Sequence, residues 1–132
     1  MLSSTFRPKG GLFAWQSVRQ FRNLILVEGL VDLVVLWQAG FRNTTCAIGT
    51  HLTPMQLAQL CENPDPRVYV AFDQDENQAG QRAADALLQM LDQAGLKVRL
   101  VGLPAGHDPN SYFVAGASAH DFARLLEDAR SL

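Results

Sequence analysis

Four short apolar runs alternate with helix-forming stretches along this chain, and that alternation limits the possible folds more than any other feature. Leu24 to Val27 is a continuous apolar tetrad; Glu28-Gly29 interrupts it, and Leu30 to Ala39 reads as a helix closed by Gly40. Thr44 to Ile48 is β-branched and apolar. After Gly49-Thr50, the run Thr53-Pro54-Met55-Gln56 supplies an N-cap, a proline at the first helical position and a capping-box glutamine, for a helix ending near Cys61. Val68 to Phe72 is a third strand behind the turn residues Asn63-Pro64-Asp65-Pro66, and Gln78 to Ala94 is a long helix stopped by Gly95. Lys97 to Leu103 is a fourth strand; Asp108-Pro109 caps a short helical turn, and Ser118-Ala119-His120-Asp121 opens a last amphipathic helix. Strands and helices alternating at this spacing predict an α/β, Rossmann-like fold, a central four-stranded and mostly parallel sheet with helices on both faces.

At 132 residues, with 48% apolar and 18% charged residues, the chain is of ordinary size for one domain with a real core. Residues up to about Gly11 read as a flexible lead and Phe13 to Phe21 as a short helix, which divides the chain into a basic lead over 1–23 and the α/β body over 24–132. The net charge of −2 conceals an asymmetry: Arg7, Lys9, Arg19 and Arg22 precede an acidic remainder. Cys46 and Cys61 stand in no CxxC or Cys/His spacing, so neither a zinc module nor a disulfide framework is indicated, and two reduced thiols in a cytoplasmic protein are expected. With no signal-like start and no stretch near the ~18 apolar residues of a membrane helix, a soluble, unexported chain is the expectation.

In a parallel sheet all strands share one carboxyl edge, where open α/β sheets bind their ligands. The acids gather there: Glu28 follows the first strand, Gly49-Thr50 the second, Asp73 and Asp75 the third, and Asp108 lies beyond the fourth. Asp73, Asp75 and Glu76 fall within four residues, and each such pair repels by roughly 1 kcal/mol at 4 Å in water and about four times that near a protein surface. Asp73 and Asp75 are two apart, so an extended backbone points both the same way. Glu28 and Asp32 are four apart and share a helix face if the helix starts at the glycine. Oxygen ligands crowded in this manner suit Mg²⁺ or Mn²⁺, which would cancel the repulsion.

Blander uses compete for several of these residues. Asp108 before Pro109 serves equally well as a helix cap, Asp32 as an exposed helix residue, and Glu76 and Asn77 as solvated loop residues. His51, His107 and His120 show no metal spacing. Asp73, Asp75 and Asn77 occupy EF-hand positions one, three and five, but Gln78 stands where glycine is needed and Ala84 where a bidentate glutamate belongs. Neither GxxxxGK[ST] nor GxGxxG occurs, which excludes a P-loop and a dinucleotide fingerprint.

Four blocks, LILVEGLVDLVVLWQAGF, AIGTHLTPMQ, VYVAFDQDENQAGQRAA and LPAGHDPNSYF, resemble in order the TOPRIM domain of bacterial and phage DnaG-type DNA primases, from about Leu24 to Val114. The resemblance implies that 24–132 is a TOPRIM domain. It matches Glu28 to the motif's glutamate, a general acid or base or metal-site organiser, and Asp73 and Asp75 to the DxD pair that holds divalent metal. Asp32 and Asp108 match further acids of the primase site, and Gly29, Gly49 and Thr50 match backbone positions around the rim. Two departures stand out: FDQDENQAG is two residues longer than the usual FDGDxAG, with Gln74 for glycine, and Asn110 replaces an expected aspartate. These point toward primase-like proteins of phages or mobile elements.

The implied activity is template-directed RNA primer synthesis by metal-dependent nucleotidyl transfer in DNA replication, with Mg²⁺ or Mn²⁺ held by Asp73, Asp75, Asp108 and Glu28. The implied partners are single-stranded DNA and nucleoside triphosphates, met through a larger parent protein, with a replicative helicase as a further candidate and no membrane. Family primases also use a zinc-binding module and a basic template-gripping region. This sequence contains neither, so the isolated domain is expected to be inactive in priming. A TOPRIM-type metal-dependent nuclease and a non-catalytic assembly module of a replication or mobile-element complex stay open as alternatives.

Overall fold

The computed structural model describes residues 12–46, 52–63, 65–72 and 78–131, the side chains of 78–84 excepted. Its strands are β1 (Asn23–Val27), β2 (Thr44–Cys46), β3 (Arg67–Val70), β4 (Lys97–Leu100) and β5 (Arg130–Ser131). Its helices are α1 (Trp15–Val18), α2 (Leu30–Gln38), α3 (Pro54–Leu60), α4 (Gln78–Gln93), α5 (Pro109–Val114) and α6 (Ala119–Glu127). The strand order is β2-β1-β3-β4-β5. The first four strands are parallel, with Leu26 opposite Val70 and Val70 opposite Leu100, and β5 runs antiparallel against β4.

The apolar run of β1 is continuous because both faces of the strand are covered. Leu24 and Leu26 enter one core with Val68, Val70, Val98, Leu60 of α3 and Leu88 and Leu91 of α4. Ile25 and Val27 enter the other with Leu33 and Leu36 of α2, Val101 and Phe122 of α6. This is the period of two expected of a strand, read into two separate cores.

Helix boundaries follow the expected chemistry. Thr53 and Gln56 form a reciprocal capping box with Pro54 behind it, and Ser118 and Asp121 form another. At the end of α2, Gly40 takes φ 104° while Phe41 N–H bonds to Leu36 O and Gly40 N–H to Trp37 O, the paired bonds of a Schellman motif. Gly95 closes α4 in the same way, with Leu96 N–H on Leu91 O.

Three elements depart from the sequence expectation. The helix expected over Phe13 to Phe21 is the single turn of α1: Ala14 sits at φ 56°, and Phe13 is drawn to the edge of β2 by Phe13 N–H to Cys46 O and by the Thr45 hydroxyl on Phe13 O. Leu12, Trp15 and Val18 pack into the same core as Leu24 and Leu26, so this segment is continuous in packing with the sheet. The strand expected to reach Leu103 stops at Leu100, since Leu103 N–H turns back onto Val101 O. The predicted four strands gain a fifth, β5, whose two exposed residues pair with Arg99 and Leu100.

The amino edge of the sheet is tied by charge. Asp65 receives Lys97 Nζ at 2.7 Å and the guanidinium of Arg22, joining the starts of β1, β3 and β4. Hydrogen bonds from Lys97 and then from Arg22 hold its carboxyl below the ordinary value of 3.8. In the unfolded chain the carboxyl titrates at that ordinary value, so the contribution of the clamp is complete above 3.8 and is lost as pH falls through the lower native value. Asp65→Asn should therefore lower the melting temperature at neutral pH, and the gap to wild type should close in melts recorded below that range. At the other fixed point, nothing lies within 4 Å of a Cβ built on Gly40, so Gly40→Ala meets a backbone penalty and no clash. Urea denaturation should show a loss of roughly 1–2 kcal/mol with an unchanged m-value.

Candidate functional site

The carboxyl edge is assembled by strand register. Glu28 and Phe72 each lie two residues past the paired Leu26 and Val70, and Ala71 N–H continues the ladder to Leu26 O at 3.0 Å. The chain segment leading to Asp73 therefore leaves the sheet beside Glu28. Asp73, Asp75, Gly49 and Thr50 lie outside the described residues, as do Gln74 and the Glu76–Asn77 extension. Glu28 is exposed, and Gly29 forms the extended N-cap of α2 without a capping side chain.

Asp32, at the third position of α2, is not the exposed helix residue that its polarity allowed. It is 7% exposed, and its Oδ1 accepts the N–H of Asn110 at 2.9 Å. Its Oδ2 lies on the side of Gly29, 3.5 Å from where a Cβ would stand there. The Cys46 thiol at the end of β2 is pushed up to about 11, chiefly by burial and secondarily by the charge of Asp32. That thiol stays protonated at neutral pH, which removes it as a nucleophile.

Asp108 caps α5, as one of its two readings had it. Its Oδ1 accepts Ser111 N–H at 2.7 Å, and its own N–H donates to Ser111 Oγ at 3.1 Å. His107 Nδ1 lies 2.9 Å from the same hydroxyl. A carboxylate offers two oxygens, so capping through Oδ1 orients the group and leaves ligand capacity on the other. Asn110 follows in the first turn, half-buried, with its backbone engaged by Asp32. Sequence reasoning passed over Ser111, although its place three residues after a capping aspartate is the available signal.

The structure thus joins Asp32 to the backbone of Asn110, two residues after Asp108, and sets Glu28 one residue before the N-cap of the helix that carries Asp32. Among the described residues no three His, Cys, Asp or Glu side chains form a group that could hold a metal ion, and no helix is long and apolar enough to cross a membrane.

A parallel sheet covered on both faces, with acids where its strands end, defines an α/β domain of the kind that works from its carboxyl edge. Residues 25–113 match the Toprim-like family. The DNA primase of Aquifex aeolicus (strain VF5) is 32% identical over 134 residues, covering 98% of this chain and 26% of that protein. The crystal structure of the Aquifex aeolicus primase zinc-binding and RNA polymerase domains superposes with a TM-score of 0.80 at 31% identity, over 96% of this chain and 32% of that one. A structure of a DnaG primase catalytic domain bound to single-stranded DNA gives 0.77 at 25% identity, over 96% and 41%. The chain belongs to the Toprim-like family, and its fold is that of the TOPRIM domain of DnaG-type DNA primases.

The two capacities of Asp108 separate experimentally. Asp108→Ala should cost about 1 kcal/mol of stability by removing the cap, whereas Asp108→Asn, an equally good N-cap, should stay within a few tenths. Chemical denaturation of the two variants checks this.

Proposed function

We propose that this chain is the TOPRIM catalytic part of a primase-like protein that synthesises RNA primers on single-stranded DNA by nucleotidyl transfer. The similarity to DNA primases along nearly the whole chain supports this, and the single structural observation that carries it is the parallel neighbour relation of β1 and β3. That relation sends Glu28 and the segment leading to Asp73 off the same edge, with Asp108 arriving on α5. The chain spans 26% of the length of its Aquifex relative, so priming is assigned to a larger assembly to which this chain contributes the acidic edge.

The family is metal-dependent, and the donors on this edge fit a hard divalent cation: they are carboxylate oxygens, with the side-chain amide of Asn110 as a neutral oxygen donor. Asp73, Asp75 and Asp108, with Glu28 nearby, would hold Mg²⁺ or Mn²⁺. When bound, the cation supplies stabilisation of the charge that develops on a triphosphate. In the reaction itself a 3′-hydroxyl would lose its proton and attack the α-phosphate of the incoming nucleotide, forming the phosphodiester bond as the bond between the α- and β-phosphates breaks and pyrophosphate leaves. Glu28, exposed at the strand end, would act as general acid or base or organise the donors. By the family resemblance, Gly29, Gly49 and Thr50 would supply the backbone rim on the nucleotide's side of the site. The buried, protonated Cys46 takes no part.

At a net charge of −2 the chain carries little of the Lys and Arg surface that dominates nucleic-acid affinity, so template grip belongs to other surfaces of the assembly. Single-stranded DNA and nucleoside triphosphates are the proposed partners, with a replicative helicase beside them, in the cytoplasm. The long FDQDENQAG block and Asn110 support a place among primase-like proteins of phages or mobile elements.

Titrating Mn²⁺ into wild type, Asp73→Asn and Glu28→Gln tests the reading. Wild type should bind, and Asp73→Asn should weaken binding roughly tenfold or more, at least the effect of disturbing a supporting residue. Unchanged affinity in Asp73→Asn would instead mark an assembly module, and metal-dependent cleavage of DNA or RNA would mark a nuclease. Abundant RNA products from this chain alone on a single-stranded template would overturn the assignment of priming to a larger assembly.

A further inference from the structure

Asp32 joins two elements that are far apart in sequence and meet at the carboxyl edge. We propose that Asp32 is a positioning residue whose buried carboxylate clasps the first turn of α5 to the start of α2, setting Glu28 and Asp108 relative to each other, and that it is not itself a cation ligand. The proposal rests on the reading that this edge holds a divalent cation.

Three observations carry it. Asp32 is 7% exposed, and a charge so withdrawn from water needs hydrogen bonds to stay there. Its Oδ1 takes the Asn110 N–H at 2.9 Å across 78 residues of sequence, while Oδ2 lies on the side of the α2 N-cap. Glu28 is one residue before that N-cap, and Asp108 is the N-cap of α5. Each candidate ligand therefore stands at the entrance of a helix whose first turn Asp32 touches.

The other end of α5 is held separately, since the ring of Phe113 packs 5.9 Å from that of Phe122 on α6. Loss of the Asp32 contact would leave α5 held by its aromatic end and its packing on α2, with the first turn that carries Asp108 no longer pinned by the carboxylate.

The test compares Asp32→Asn and Asp32→Ala in the full chain by two readouts, hydrogen exchange at the Asn110 amide and titration with Mn²⁺ alone. Asn keeps an acceptor oxygen, so Asp32→Asn should retain the protection of Asn110 and bind Mn²⁺ within about threefold of wild type. Asp32→Ala should lose that protection and bind roughly 10–100-fold more weakly, the usual consequence of removing a residue that orients metal ligands. Loss of Mn²⁺ binding in Asp32→Asn as deep as in Asp73→Asn would make Asp32 a ligand and overturn the proposal. Unchanged exchange and binding in Asp32→Ala would overturn it equally. If wild type binds no Mn²⁺, the cation reading of the edge fails, while exchange at Asn110 still decides whether Asp32 holds α5. Should Asp32→Ala fail to fold, the Asp32→Asn arm decides between clasp and ligand.

Discussion

Everything in this molecule is organised around the burial of β1 on both faces. Leu24, Ile25, Leu26 and Val27 are all essentially inaccessible, and their side chains alternate between two cores while the backbone pairs with β2 on one side and β3 on the other. A strand in that position cannot be joined to parallel neighbours by tight turns, so the chain must cross over each time with intervening structure. Those crossovers supply the helices that cover the two faces. The same parallel pairing delivers the ends of β1 to β4 to one edge, and for that reason residues scattered from Glu28 to Asp108 have a common destination.

The two edges of the sheet handle charge differently. At the amino edge Asp65 is met by Arg22 and Lys97, an arrangement that neutralises the acid and ties three strand starts together. At the carboxyl edge Asp32 and Asp108 accept backbone N–H groups, from Asn110 and Ser111 respectively. A backbone donor fixes the direction of a carboxylate and brings only a partial positive charge to it, unlike the full charges of Arg22 and Lys97 at Asp65. The amino edge is thereby suited to holding the sheet together, and the carboxyl edge to holding something else. Asp108 combines both uses in one side chain, since the capping bond that starts α5 also aims the carboxylate.

Much of this was legible in the chain itself, because it depends on local pattern. The continuous apolar tetrad at Leu24 announced a strand covered on both faces. Thr53 with Gln56 and Ser118 with Asp121 announced helix starts, and Gly40 and Gly95 announced stops, since each signal acts within one turn of the residue that carries it. The blocks around Glu28, Asp73 and Asp108 were enough to indicate the family. Local pattern misled where a distant partner overrode it. Residues Phe13 to Phe21 have helical periodicity, yet the hydrogen bonds of Phe13 to β2 leave a single turn, and β5 exists because Arg99 and Leu100 offer it an edge.

The sequence by itself determined most of the strands and helices and where most of them begin and end. Tertiary structure alone decided that β1 lies between β2 and β3, that Leu12, Trp15 and Val18 belong to the core, and that Asp32 is buried against α5. The physical reason is range. Caps, turns and periodicity are set by neighbours a few residues away, whereas the contact between Asp32 and Asn110 spans 78 residues and forms only after the sheet has brought the starts of two helices together.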